Sequence, residues 1–145
     1  MSLPFGAHIP FVELLGFTLD KFEGGQSVLH FSPRPEHLNS FAVTHGGAVM
    51  TFLDVIMATA ARSVAPASGV VTVEMKTTFM RPATVPSSDA PDQQGLVGHG
   101  QLLHRTRSMA FTEGKVFDAQ GQLCAHATGT FKYVSRPETS LISTD

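Results

Sequence analysis

The chain has 145 residues, a formal net charge of −2 and a single cysteine. This length suits one domain that buries its own core without disulfide or metal staples. The ten lysine and arginine residues are scattered, which argues against a nucleic-acid-binding surface. One cysteine, Cys124, excludes an intrachain disulfide and a cysteine-based zinc site, and suits a reducing compartment.

The sequence also argues against a membrane-bound or exported protein. The first ten residues have no basic stretch and no long apolar run, so we expect no secretion signal. The longest helical pattern, residues 45–62, contains Asp54 and is short of the roughly 20 apolar residues that cross a membrane. The histidines lack metal-ligand spacing, so no metal or other cofactor is expected. We therefore expect a cytoplasmic protein with neither a membrane nor a nucleic-acid partner.

The first third of the chain predicts a short helix or entry segment over residues 5–15, followed by a β-hairpin. Residues 16–22 and 26–31 alternate apolar and polar side chains on either side of Gly24-Gly25, which is a hairpin pattern. Prolines then end the second strand, and residues 36–44 form an irregular link.

Residues 45–62 predict one long helix, because they contain no proline and no glycine beyond Gly46 and Gly47. Thr44 is expected to cap its first turn. Apolar residues fall on every side of the helix, which is typical of a buried helix. Asp54 stands alone in the middle, and a carboxylate in such surroundings must be paired, shifted in pKa or used chemically.

Four strands are predicted after the helix. In the first, residues 71–81, alternation places Val71, Val73, Met75, Thr77 and Phe79 on one face, and we expect this face to pack on the helix. A polar connection at 83–94, expected to be exposed and mobile, leads to strands at 96–103, 108–117 and 122–134. Small residues at 125, 127 and 129 leave room for the helix to approach closely.

Together, the predicted elements form a single α+β domain in which an antiparallel sheet of about six strands packs on one long central helix. Its core spans about residues 15–134, and the polar tail 135–145 is expected to be weakly ordered. One helix covers only one face of such a sheet, and its own outward apolar side also needs cover. We therefore expect a partner subunit.

Five short motifs lie around the predicted helix and in the strand after it. They are His37-Leu38-Asn39, His45-Gly46-Gly47, Leu53-Asp54, Val71-Thr72-Val73-Glu74-Met75-Lys76 and Phe79-Met80-Arg81-Pro82-Ala83. Together they resemble the motifs of the hotdog-fold acyl-CoA thioesterases, in the branch of the phenylacetic-acid-pathway thioesterase and thioesterase superfamily member 2. The resemblance covers about residues 15–133 and departs from the family at Ala42, where glycine is frequent, and in the longer 83–94 connection.

Helix geometry places the predicted site between two subunits. Nine residues separate His45 from Asp54, which corresponds to a net half turn and roughly 13.5 Å of rise, so the two cannot meet within one helix. If both serve one site, Asp54 must meet the helix start of a second copy. We expect a homodimer, or a tetramer of two dimers, with two equivalent shared sites.

Thioester hydrolysis needs a polarised carbonyl and an activated water. The helix start offers free N–H groups at Gly46 and Gly47 and the positive end of the helix dipole. The resemblance implies that the Gly46 N–H and Asn39 hold the thioester oxygen. It further implies that Asp54 acts as general base or nucleophile and that Thr72 helps to place the water. His45 is expected to shape the loop and not to act as a base.

The substrate is expected to be an acyl-CoA or related acyl thioester. The residues assigned to substrate binding are Gly47, Phe41, Met50, Met57 and Arg81. Their packing decides the acyl group, which the sequence leaves open among aromatic, short and long chains.

Two other functions are compatible with the predicted fold. One is a non-catalytic acyl-CoA-binding or regulatory hotdog protein, against which Asp54 and Asn39 argue. The other is a hotdog dehydratase, which would need a catalytic histidine deeper along the helix, where this sequence has an aspartate. Cys124 and His126 lie two apart on one strand, but nothing in the sequence activates the thiol as a nucleophile.

Overall fold

A computed structural model describes residues 2–84 and 95–136. Two helices and six strands follow one another, with a 3₁₀ turn at Pro35–His37 before the long helix. The elements are α1 (Pro10–Leu15), β1 (Thr18–Glu23), β2 (Gln26–Phe31), α2 (Gly46–Arg62), β3 (Gly69–Phe79), β4 (Leu96–Arg105), β5 (Met109–Phe117) and β6 (Leu123–Val134). The predicted hairpin, central helix and later strands are confirmed. Most of the predicted 83–94 connection and of the 135–145 tail lies outside the described residues.

All six strands join one antiparallel sheet in the order β1-β2-β4-β5-β6-β3. The last four strands therefore do not pair in chain order. Strand β4 pairs with β2, and β3 pairs with β6 at the opposite edge. A six-stranded antiparallel sheet around one long helix confirms the α+β class and the hotdog fold.

Helix α2 packs against the inner face of this sheet, and small strand residues allow the close approach. A Cβ atom on Gly129 of β6 would lie 3.0 Å from the Cε atom of Met57. A Cβ on Gly98 of β4 would collide with the side chain of Ile56. The predicted role of small strand residues under the helix is thus confirmed, and helix side chains such as Phe52 and Leu53 are fully buried.

One side of α2 remains uncovered in the single chain, contrary to the expectation of a helix buried all round. Met50 is 37% exposed, and Asp54, Val55 and Ala58 are only half-buried. Residues three and four apart share a helix face, so these side chains form one continuous strip. We call it the open stripe, and it consists of Gly47, Met50, Thr51, Asp54, Val55 and Ala58.

Strand β3 contains a β-bulge that changes which side chains face the helix. Its pairing with β6 runs from Thr72 opposite Phe131 directly to Glu74 opposite Thr130, so Val73 is an extra residue. The expected alternation is therefore wrong before the bulge. Thr72 lies on the inner face with Phe131, while Val71 and Val73 are exposed.

Among the described residues, no helix has the length and apolar character that crossing a membrane requires.

Candidate active site

The start of α2 is capped by a side chain that the sequence did not suggest. His45 is the N-cap residue, and its Nδ1 atom accepts a hydrogen bond of 2.8 Å from the Gly47 N–H. The expectation that Thr44 caps the helix is wrong, since its Oγ1 atom is buried without a hydrogen-bond partner among the described residues. Gly47 likewise does not offer a free N–H. In the described part of the chain, the Gly46 N–H is the unpaired donor at this end.

Asn39 is oriented by the loop that precedes the helix. Its Oδ1 atom accepts hydrogen bonds from the N–H groups of Phe41 at 2.9 Å and Val43 at 3.3 Å. Because the side-chain oxygen is occupied, the amide NH₂ group is left to donate to a ligand. Ala42, the departure from the family pattern, adopts a left-handed conformation with φ of 61°, which favours glycine. The alanine therefore adopts a backbone conformation that glycine, the residue frequent in the family, adopts more easily.

The strand end and the helix start are tied together by the backbone. The Thr44 N–H donates to the Ala83 carbonyl at 2.9 Å, and the His45 N–H donates to the His37 carbonyl at 2.8 Å. The Arg81-Pro82-Ala83 motif therefore lies beside the helix start, as a wall of the space in front of Gly46.

A cavity of about 400 Å³ lies at this place, and we call it the helix-start cavity. Its polar lining residues are Asn39, Thr44, Gly46 and Arg81. The other lining residues are mainly apolar: Val43, Val49, Phe79, Met80, Pro82, Ala83, Cys124 and Ala125. The hydrogen-bond donors of Gly46 and Asn39 and the apolar lining suit a ligand that carries both a carbonyl group and an apolar substituent.

Asp54 lies in a second cavity, which we call the stripe cavity, of about 440 Å³. Its carboxylate Oδ1 accepts a hydrogen bond of 2.6 Å from the Thr72 Oγ1. Asp54 is therefore neither alone nor deeply buried, since it is half-buried on the open stripe. The bulge at Val73 makes this pair possible, because it turns Thr72 toward the helix. The stripe cavity is lined by Ile9, Phe11, Val12, Met50, Thr51, Asp54, Val55, Thr72 and Met75.

The structure thus divides the predicted site residues into two groups. Asn39, Gly46 and Arg81 line the helix-start cavity, whereas Asp54, Thr72 and Met50 line the stripe cavity. Within one chain these groups do not share a cavity.

Three other predicted residues lie outside both cavities. Phe41 is 83% exposed on the loop after Asn39. Met57 is fully buried against β5 and β6 and lines neither cavity. Gly47 is exposed, with its N–H bound to His45.

Cys124 and His126 behave as structural residues. Burial raises the pKa of the Cys124 thiol, which disfavours the nucleophilic thiolate. His126 contacts Glu113, with 3.2 Å between its Nε2 and the carboxylate Oε1. Among the residues that the structure describes, no three His, Cys, Asp or Glu side chains are placed to hold a metal ion.

The sequence did not point to Val49 and Ala125, which form the buried part of the wall of the helix-start cavity. One signal was available for Val49, because it follows Gly46 by three residues and therefore shares its helix face. Ala125 lies at this wall because β6 pairs with β3, where Ala125 is opposite Phe79.

The family model of the thioesterase superfamily matches residues 41–125, more than half of the chain. The protein therefore belongs to the thioesterase superfamily, and its class is that of thioester hydrolases. A search of curated protein sequences found no match.

Several solved structures share the fold of this chain. The chain is similar to the conserved protein PA5202 from Pseudomonas aeruginosa, with a TM-score of 0.78, 24% identity, and coverage of 89% of this chain and 97% of that one. It is also similar to the PaaI protein of the Escherichia coli phenylacetic acid degradation operon, with a TM-score of 0.76, 18% identity, and coverage of 88% and 86%. A mutant of the phenylacetic acid degradation protein PaaI from Thermus thermophilus gives a TM-score of 0.72, 24% identity, and coverage of 86% and 98%. At these identities the likeness concerns the fold.

Proposed function

We propose that this protein hydrolyses acyl-CoA thioesters to the free acid and CoA, in the cytoplasm, at sites shared by two copies of the chain. The observation that carries the proposal is the separation of the two half-sites. One cavity holds hydrogen-bond donors without a base, and the other holds a carboxylate with its hydroxyl partner.

The first half-site binds the thioester oxygen. The Gly46 N–H is unpaired among the described residues and lies at the positive end of the 17-residue helix α2. The Asn39 amide supplies a second donor from the loop. Negative charge develops on the carbonyl oxygen as water adds, and fixed donors stabilise that charge without having to reorganise. Arg81, exposed at the rim, is available to the CoA phosphates.

The second half-site activates the attacking group. The Thr72 hydroxyl donates to one carboxylate oxygen of Asp54 and leaves the other free to accept a proton from water or to attack the carbonyl carbon. As a base, Asp54 takes a proton from water, the resulting hydroxide adds to the carbonyl carbon, the C–S bond breaks and the proton passes to the departing CoA thiolate. As a nucleophile, Asp54 displaces the CoA thiolate, which takes a proton from solvent, and forms a mixed anhydride with the acyl group; water then hydrolyses this anhydride to the free acid and the Asp54 carboxylate.

A two-fold axis between two copies of α2 joins the half-sites. Gly46 and Asp54 are eight residues apart, roughly 12 Å along the helix, so antiparallel helices bring the Asp54 of one copy to the Gly46 of the other. The open stripe and the exposed Val71 and Val73 of the edge strand β3 supply an uncovered surface for this contact. A homodimer is the minimum assembly, and a tetramer would contain two such dimers.

The test is the release of CoA from a panel of acyl-CoA thioesters by the wild-type protein and an Asp54→Asn variant. General bases contribute about 10² to 10⁴ in rate, so the variant should lose activity by that factor while keeping its fold. Glu74→Gln is the matched control, because Glu74 also accepts a threonine hydroxyl, but on the outer face of the sheet.

Full activity in Asp54→Asn would contradict the assigned role of the carboxylate. Tight binding of acyl-CoA by the wild type without any CoA release would instead favour the non-catalytic acyl-CoA-binding protein.

A further inference from the structure

The helix-start cavity lies between helix α2 and the start of β6. Farther along β6, the Met57 side chain packs closely over Gly129. At the start of the strand, Gly46 and Val49 of the helix and the small side chain of Ala125 all line the cavity. A cavity of about 400 Å³ remains there.

This cavity is open to the surface beside Gly46 and is bounded on its inner side by buried residues. Gly46 lies at its mouth against Phe79, since a Cβ on Gly46 would be 3.4 Å from the Phe79 Cζ atom. Phe79 is half-exposed, whereas Val49 and Ala125 are almost completely buried. A carbonyl held at the Gly46 N–H therefore has an apolar space behind it, with Val49 and Ala125 as its floor.

We infer that this cavity holds the acyl group, and that Val49 and Ala125 set the length of the longest acyl chain the protein accepts. The inference rests on the proposed function, which places the thioester carbonyl at Gly46. At about 30 Å³ for an atom of the size of a water molecule, the cavity accommodates roughly a dozen non-hydrogen atoms. The expected substrates are thioesters of medium-length apolar acids.

Two substitutions that change the volume of the cavity in opposite directions test the role of its floor. Ala125→Val adds two methyl groups to it, and Val49→Ala removes two. The matched control is Ala110→Val, because Ala110 is a fully buried alanine on the inner face of β5 that does not line the cavity. Thermal melts establish that each variant is folded.

The measurement is calorimetric binding of S-alkyl-CoA thioethers, from butyl to hexadecyl, which bind without being hydrolysed. CoA release from the corresponding acyl-CoA thioesters is measured in parallel. For the longest chains that the wild type binds, Ala125→Val should weaken binding about fourfold for each methylene group that no longer fits into the cavity. Val49→Ala should extend the series, and in both variants the effect should grow with chain length and be smallest for butyl-CoA.

Failure of this inference and failure of the proposed function give different results. If Ala125→Val and Val49→Ala bind the thioether series with the wild-type dependence on chain length, the cavity is not the acyl site, whatever the turnover. If the dependence shifts as expected but no thioester is hydrolysed, the acyl site stands and the proposed hydrolysis is wrong. A shift of equal size in Ala110→Val would also overturn the assignment.

Discussion

The Thr72 Oγ1 donates a hydrogen bond of 2.6 Å to the Asp54 Oδ1, across the gap between an edge strand and the central helix. The contact depends on one extra residue, Val73, which forms the bulge in β3. Without the bulge, the alternation that places Met75 toward the helix would turn Thr72 away from it. One backbone irregularity thus gives the only acid of the helix its hydroxyl partner.

Replacing Thr72 by valine should lower kcat by about tenfold or more, because the carboxylate loses the hydrogen bond that orients it and becomes partly unsatisfied. Thr72→Ser should retain most of the activity, since serine supplies the same hydroxyl. Steady-state hydrolysis of one acyl-CoA by both variants measures the difference.

The control for this prediction is Thr130→Val. Thr130 also donates to a carboxylate, that of Glu74, at 2.8 Å and on the outer face of the sheet. Equal loss of activity in Thr72→Val and Thr130→Val would show a general effect on the sheet and would argue against a role of Thr72 in the site.

Asn39→Asp should separate the structural role of Asn39 from its proposed role in binding the carbonyl. A carboxylate can still accept the N–H groups of Phe41 and Val43, so the loop and the melting temperature should be kept. The donor to the thioester oxygen is lost, and a negative charge replaces it. We expect kcat to fall by about 10² to 10³, the usual effect of removing one oxyanion donor.

The matching measurement is kcat together with a thermal melt of the same variant. A variant with normal activity would contradict the donor role of Asn39. A large fall in melting temperature would instead assign Asn39 to the loop alone.

Most of the fold was predictable from the sequence because strand alternation and the long helical run are local signals. The strand order was not, since the pairing of β3 with β6 depends on contacts far apart in the chain. The family resemblance assigned Thr72 to the same site as Asp54, as the residue that helps to place the water, whereas alternation alone put Thr72 on the wrong face. A β-bulge has no reliable local signature, and only the register of the two strands reveals it.

Details at the helix start could not be predicted for a different physical reason. A threonine immediately before a helix is a common cap, yet here His45 occupies that position and its ring reaches the Gly47 N–H. The rotation of the helix relative to the sheet was also not predictable, and it places the Met57 side chain over Gly114 and Gly129.

Because His45 and not Thr44 caps helix α2, substitutions at these two adjacent positions should have opposite effects on stability. Thr44→Val should stabilise the protein by about 1 kcal/mol, because it replaces a buried hydroxyl without a partner in the described structure by a methyl group. His45→Ala should destabilise it by about 1 kcal/mol, because the Gly47 N–H loses its acceptor. In a chain of this size, each change corresponds to about 2 to 4 °C in Tm. Destabilisation by Thr44→Val would mean that its hydroxyl has a partner after all.

The shared site predicts that two inactive variants restore each other. Asn39→Asp impairs the half-site at Gly46, and Asp54→Asn impairs the half-site at Thr72. In a mixed dimer, one site combines both damaged halves and the other combines both intact halves. Random exchange makes half of the dimers mixed, so the activity should rise to about a quarter of the wild-type value.

Exchange of subunits must be verified, for example by mass spectrometry of intact dimers in which one variant carries an isotope label. Mixed dimers without recovered activity would place the whole site within one chain. That result would require Asp54 and Gly46 of the same helix to act together despite the roughly 12 Å between them along its axis. Recovery in the mixture, with none in a chain carrying both substitutions, would show that Asp54 acts on the carbonyl held by the other subunit.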